Sequence, residues 1–182
     1  GSEGPVLLSY STSVSQTWLL ALSAAKHGLP VVLAGLGMPR WPWWQGGRKK
    51  LPGSRRALQL IQALEPQATV ISSDTGDLLI GNSLSAAHKR ALRELASNNE
   101  LLVAAECNSW PLCYREAYAH DAEVRECLGS HGACYPNSGV LTASVATMLR
   151  FYERWADTIN ASAHMRRAER FNDQAAIHRL YQ

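Results

Sequence analysis

Near its start the chain sets two short apolar runs around one helical stretch with almost nothing between them, and this leaves few folds open. Pro5 to Tyr10 is apolar and β-rich, and Ser13 to His27 carries Trp18, Leu19, Leu22 and Ala25 at helical spacing. Gly28-Leu29-Pro30 stops that helix, and Val31 to Ala34 forms a second buried run. A strand, a helix and a returning strand joined this tightly are the elementary piece of a parallel sheet. The alternation continues. Ser54 to Leu64, with Ser54 as cap, predicts a helix, and Ala68 to Ser73 a strand. Ser83 to Ser97 predicts another helix, capped by Ser83, with Leu84, Ala87, Ala91, Leu92 and Leu95 on its apolar stripe. Leu101 to Ala105 and Val140 to Ala143 read as strands, and Ser144 to Trp155 as a closing helix. Gly35 to Gly53 and Glu106 to Asn137 read as long loops, rich in Pro, Gly and small polar residues. The economical architecture is α/β: one doubly wound, mostly parallel central sheet flanked by helices.

A length of 182 residues, 46% hydrophobic and 18% charged, bounds this to one globular domain over residues 3–182. Gly1-Ser2 reads as a remnant of cloning. No apolar run is long enough to span a bilayer. The net charge is only +3, but Arg48, Lys49, Lys50, Arg55 and Arg56 bunch together, a distribution that draws an anionic ligand. Nucleic acid is not expected as a partner. Cys107, Cys113, Cys127 and Cys134 lack Cys-x-x-Cys spacing, so disulfides are favoured over a zinc site. With the acceptor triplet Asn160-Ala161-Ser162 they point to the secretory pathway.

The strand before Asp74-Thr75-Gly76-Asp77 delivers Asp74 and Asp77 to the carboxyl edge of the sheet, where open α/β folds bind ligands. A hard cation is commonly held there by one or two carboxylates while substrate phosphates complete its shell. The plain alternative is a strand-ending turn. Trp41, Trp43 and Trp44 beside Gly46-Gly47-Arg48-Lys49-Lys50 pair flat apolar faces with amides and cations, the needs of a base and its phosphates. The orders Gly-x-x-x-x-Gly-Lys-Ser/Thr and Gly-x-Gly-x-x-Gly are missing, which disfavours P-loop and dinucleotide readings. Glu106 ends a buried strand, Asn137-Ser138-Gly139 precedes another, and Asn172-Asp173-Gln174 opens a C-terminal helix.

Taken in order, Gly-Leu-Gly, the Trp-rich loop with Gly-Gly and lysines, Ser-Asp-Thr-Gly-Asp, Ala-Glu-Cys with Trp-Pro, Tyr-Pro-Asn-Ser-Gly and Asn-Asp-Gln resemble one family. It is the glycosyltransferase domain shared by procollagen lysyl hydroxylases and related collagen-type glycosyltransferases. The resemblance runs from Val6 to Tyr181 and implies a GT-A type, Rossmann-like fold using a UDP-sugar with Mn²⁺ or Mg²⁺. It implies Asp74 and Asp77 as metal ligands, and Thr12, Trp44, Asp74, Thr75, Gly76 and Glu106 around the nucleotide. Lys49 or Lys50 would meet the diphosphate, Asn137, Ser138 and Gly139 the sugar, and Asp173 with Asn172 the reacting centre. Three positions depart from the family. Gly76 replaces an aromatic that stacks on uracil, which passes base recognition to Trp41, Trp43 or Trp44. No histidine after Asn172-Asp173-Gln174 matches the family's third metal ligand, His164 and His178 coming too early. Asn172 stands where relatives carry a second acid. The expected activity moves glucose or galactose from UDP to a hydroxylated protein or glycan. Its rivals are a non-catalytic module of the same fold binding nucleotide, glycan or a protein, and a phosphatase or nucleotidyltransferase using the same carboxylates.

Overall fold

Val6–Tyr10 forms β1, the strand around which the sheet is built. β2 (Val31–Ala34) and β3 (Thr69–Asp74) pair with it in parallel, one on each side. Beyond β3 come β5 (Tyr135–Ser144) and, at the far edge, β4 (Leu102–Glu106), giving a five-stranded open sheet of order β2-β1-β3-β5-β4. The computed structural model describes residues 4–38, 46–74, 80–81, 84–98, 100–106, 135–161, 174 and 177–178. β5 runs antiparallel to both β3 and β4, so the sheet is mixed, a correction to the mostly parallel expectation. The reversed strand is also longer than its apolar centre predicts. It starts at Tyr135 rather than Val140, because Tyr135 and Pro136 pair with Glu106 and Ala105 of β4. Pro136 lacks an N–H, and its place near the start of the strand is where a sheet tolerates that loss.

Alternation along β1 sends Val6 and Leu8 to one face of the sheet and Leu7 to the other. The first face is covered by α2 (Gly46–Leu64) and by α4 (Val145–Ala161). Val145, Met148, Leu149, Tyr152, Trp155 and Ile159 of α4 recur at three- and four-residue steps and are all buried. Phe151 and Tyr152 meet edge to face with ring centroids 5.4 Å apart, and Tyr152 lies 5.6 Å from Trp155. Helix α2 begins inside the stretch expected to be loop. Its packed face, Leu51, Ser54, Leu58 and Ile61, continues helical spacing back through Pro52, and this burial outweighs the local cost of a proline in a helix. Ser54, 1% exposed, belongs to that packed face and is not a cap.

The second face is covered by α1 (Trp18–Lys26), which follows a single 3-10 turn, Val14–Gln16. The buried residues of α1 are Leu20 and Ala24, packed with Leu7 and Leu29. The stripe read from sequence lies on the opposite side: Trp18, Leu19 and Leu22 are 55%, 49% and 62% exposed. Apolar residues surround this helix, so periodicity alone could not choose the face that Leu7 and Val31 select. Its end is well specified. The Leu29 N–H bonds Ala24 O at 3.0 Å and the Gly28 N–H bonds Ala25 O at 3.1 Å, with Gly28 at φ +67. That double closure needs a left-handed residue, and the contact of Leu29 with Ala24 completes it. Helix α3 (Ala86–Ser97) is capped by Ser85, whose Oγ accepts the His88 N–H at 3.1 Å, and not by Ser83, which lies outside the described residues. Ala87 and Ala91 of its expected apolar stripe are exposed. Among the described residues no helix is long and apolar enough to cross a membrane.

Two truncations on α1 separate the faces. Leu20→Ala should lower unfolding free energy in urea by about 2–5 kcal/mol, whereas Leu22→Ala should change it by about 0.5 kcal/mol or less.

Candidate functional site

The chain leaves β1 for β2 on one side and then crosses to β3 on the other, so the strand order reverses between β1 and β3. Crevices at the carboxyl ends of such strands are where open α/β sheets bind ligands. There Tyr10 and Asp74 are register partners, the last residues of their strands. Lys50, from the first turns of α2, places its Nζ 2.7 Å from Asp74 Oδ1. The lysine side chain is 12% exposed and the aspartate 45%, so a shielded cation is neutralised by a carboxylate that still reaches solvent. On the other side of Asp74, β5 pairs Val140 with Ser73. Because β5 runs antiparallel to β3, the residues just before Val140 lie at this same edge of the sheet.

Tyr10 fixes the neighbouring backbone. A Cβ on Gly35, which has φ +90, would sit 2.3 Å from Tyr10 Cε2, and a Cβ on Gly53 would sit 3.2 Å from the same atom. The ring therefore fills space at the exit of β2 that a side chain on Gly35 would need, and packs tightly against Gly53 of α2. Its hydroxyl oxygen is shielded and has no hydrogen-bond partner among the described residues, and burial raises its pKa above the ordinary value. Around it, Ser9 Oγ donates to Ser73 O at 2.7 Å and the Ser11 N–H donates to Ala34 O at 2.9 Å, tying the three strand ends together. Thr12 lies two residues beyond β1, partly buried.

Asn137, Ser138 and Gly139, expected just ahead of a strand, lie inside β5 at a local irregularity. The β4–β5 register shifts between Val103 and Ala104, which moves this stretch out of the regular ladder. Asn137 Oδ1 accepts the Gly139 N–H at 2.6 Å, and a Cβ on Gly139 would lie 2.7 Å from that oxygen. The side chain of Gln174 repairs the edge, accepting the Ser138 N–H and donating to Pro136 O. Gln174 is buried, as is His178, whose ring nitrogen lies 3.4 Å from it. Sequence reasoning missed Tyr10, Gly35, Gly53 and the bracing role of Gln174. Of these Gln174 carried a signal in its place in the Asn-Asp-Gln triplet, and Gly35 in its place in Gly-Leu-Gly.

Lys50, Asp74 and the Asn137–Gly139 stretch are thus brought to one edge, as the motifs anticipate. Glu106 ends β4 opposite Tyr135, its side chain outside the described residues, and β5 separates its strand from that of Asp74 by two strand spacings, about 10 Å. Lys49 lies in α2, but its side chain is outside the described residues. Trp41, Trp43, Trp44, Thr75, Gly76, Asp77, Asn172, Asp173 and the cysteines also lie outside them. Among the described residues no cluster of three or more His, Cys, Asp or Glu side chains is arranged to hold a metal ion. Among the described residues Asp74 offers a carboxylate here, with Oδ1 against Lys50 and the side chain half open to solvent. One such carboxylate fits a hard divalent cation that takes its remaining oxygens from water and phosphate.

No protein-family model and no curated protein sequence matches the chain.

Two substitutions probe the edge. Gly35→Ala should destabilise the fold by about 1–3 kcal/mol, from left-handed backbone and overlap with the Tyr10 ring, and the loss should be smaller in a Tyr10→Ala background. Tyr10→Phe removes a shielded hydroxyl and should be neutral or stabilising in urea titrations. The folded state holds the Tyr10 proton more tightly than the unfolded chain, because its folded pKa lies above 10.0. The stability that this group contributes is therefore whole at neutral pH and is lost as pH rises above about 10, a decline that Tyr10→Phe should reduce.

Proposed function

We propose that this chain is a GT-A type glycosyltransferase domain that takes a hexose, glucose or galactose, from a UDP-sugar in a reaction dependent on Mn²⁺ or Mg²⁺. The acceptor in this reading is a hydroxyl on a protein or glycan, in the oxidising setting that the four cysteines favour. The observation that supports it most is Asp74: a half-exposed carboxylate ending β3 at the reversal of strand order, with Lys50 at 2.7 Å. A departing nucleoside diphosphate develops charge on its phosphate oxygens, and both groups suit that need. Lys50 supplies positive charge from a shielded position, where an ammonium acts more strongly on a phosphate than in water. Asp74 would hold the cation, and a bound divalent cation supplies Lewis-acid stabilisation of the leaving diphosphate. Asn137, Ser138 and Gly139, at the same sheet edge as Asp74 and braced by Gln174, offer a polar edge to sugar hydroxyls. Asp77 as second metal ligand and Asp173 at the reacting centre complete the reading from the motifs alone.

A second reading, a non-catalytic module that binds the same nucleotide, draws on the same ion pair, since Lys50 already balances Asp74. Calorimetry with UDP and Mn²⁺, alongside release of UDP from UDP-glucose and UDP-galactose, separates the two. The wild-type chain should bind UDP in a metal-dependent way and release it from one of these donors. Asp74→Asn should weaken metal-dependent UDP binding at least tenfold, about 1.4 kcal/mol. Binding without release selects the module, and affinity that ignores both the metal and Asp74 contradicts both readings.

A further inference from the structure

We propose that Lys50 is an exchangeable counter-ion for Asp74, so that cation and diphosphate enter this site together and neither binds well alone. The inference rests on the nucleotide-diphosphate reading above and goes on to say how the site is loaded. Its basis is an incompatibility of charges. Lys50 Nζ stands 2.7 Å from Asp74 Oδ1, the separation of a charge-assisted hydrogen bond. A divalent cation arriving at the same carboxylate would face an ammonium already in contact with it, and that repulsion is poorly screened where the lysine is 12% exposed. A diphosphate alone meets the converse difficulty, since the positive charge it needs is already satisfied by Asp74. The two ligands together resolve both. The phosphate oxygens take the Lys50 ammonium, the carboxylate turns to the cation, and each charge keeps an opposite partner.

The geometry permits the exchange. Lysine is a point charge on a four-carbon stem, able to turn from carboxylate to phosphate without moving its backbone. The backbone of α2 is meanwhile held by Leu51, Leu58 and Ile61 against the core and by Gly53 against Tyr10, so the swing is confined to the side chain. Asp74 is anchored as the last residue of β3, with Tyr10 opposite it. Binding of one ligand then raises affinity for the other by the same factor.

The test is Mn²⁺ binding to the whole chain, measured by titration calorimetry and by the electron-spin-resonance signal of free Mn²⁺, with and without saturating UDP. In the wild type, UDP should tighten Mn²⁺ binding strongly. Lys50→Met keeps the aliphatic stem and removes the charge. It should bind Mn²⁺ alone on the order of tenfold more tightly than wild type, bind UDP alone more weakly, and show a correspondingly smaller enhancement by UDP. Lys50→Arg keeps the ion pair and should gain no affinity for Mn²⁺ alone. If Lys50→Met binds Mn²⁺ no better than wild type while both still bind UDP with Mn²⁺, the exchange is wrong and the site reading survives. If no form binds UDP with Mn²⁺, both fall. Should Lys50→Met fail to fold, the ¹³Cε resonance of Lys50 in wild type decides. It should shift when Mg²⁺ and UDP are added together and much less with Mg²⁺ alone, and an unchanged resonance overturns the proposal.

Discussion

Everything in this structure is arranged around one strand that has no free side. β1 is hydrogen-bonded in parallel to β2 and β3 and is buried on both faces, Val6 and Leu8 against α2 and α4, Leu7 against α1. A strand so enclosed leaves only its ends open, and its carboxyl end is where neighbouring chain segments diverge. Placing polar chemistry there follows from the packing. Leu7, Leu8, Leu58, Val70, Met148 and Trp155 are 1% exposed or less, and the middle of the sheet between them has no room for a ligand.

The edge that remains is shaped by close approach. The Tyr10 ring occupies the place where a side chain on Gly35 would stand and leaves only tight room at Gly53 of α2, the helix that carries Lys50 to Asp74. Burying an ammonium to 12% exposure is unfavourable without an opposite charge, so the ion pair is a condition of this placement. On the far side, an irregular stretch of β5 presents backbone groups that Gln174 satisfies, and this holds Asn137 to Gly139 in a definite conformation. Between these two packed flanks lies the Lys50–Asp74 charge pair.

Much of this was legible in the sequence where local pattern and tertiary demand agree. The bounds of β2, the end of α1 at Gly28 and the position of Asp74 at the end of its strand all follow from short-range chemistry. The failures share a cause. Helix α2 starts at Gly46 because Leu51 reaches the core, although Gly and Pro composition argues for loop. The buried side of α1 is decided by Leu7 and Leu29, which no periodicity within the helix can reveal. β5 begins at Tyr135 because β4 supplies partners for Tyr135 and Pro136, and its reversed direction is a matter of topology alone. The contact of Tyr10 with Gly35 and Gly53 joins residues distant in sequence and has no local signature. The acidic and basic members of the site were found because charge at a strand end or helix start is unusual enough to be noticed.

The central claim is that the carboxyl ends of β1 and β3 receive a cation together with a diphosphate. Paramagnetic broadening of backbone amide resonances by substoichiometric Mn²⁺, in the presence of UDP, reads this location directly. The account predicts selective loss of signals from Tyr10, Ser11, Gly35, Asp74 and Gly139, with those of α3 and the amino-terminal ends of the strands preserved. Broadening centred elsewhere, or spread evenly over the surface, would contradict it.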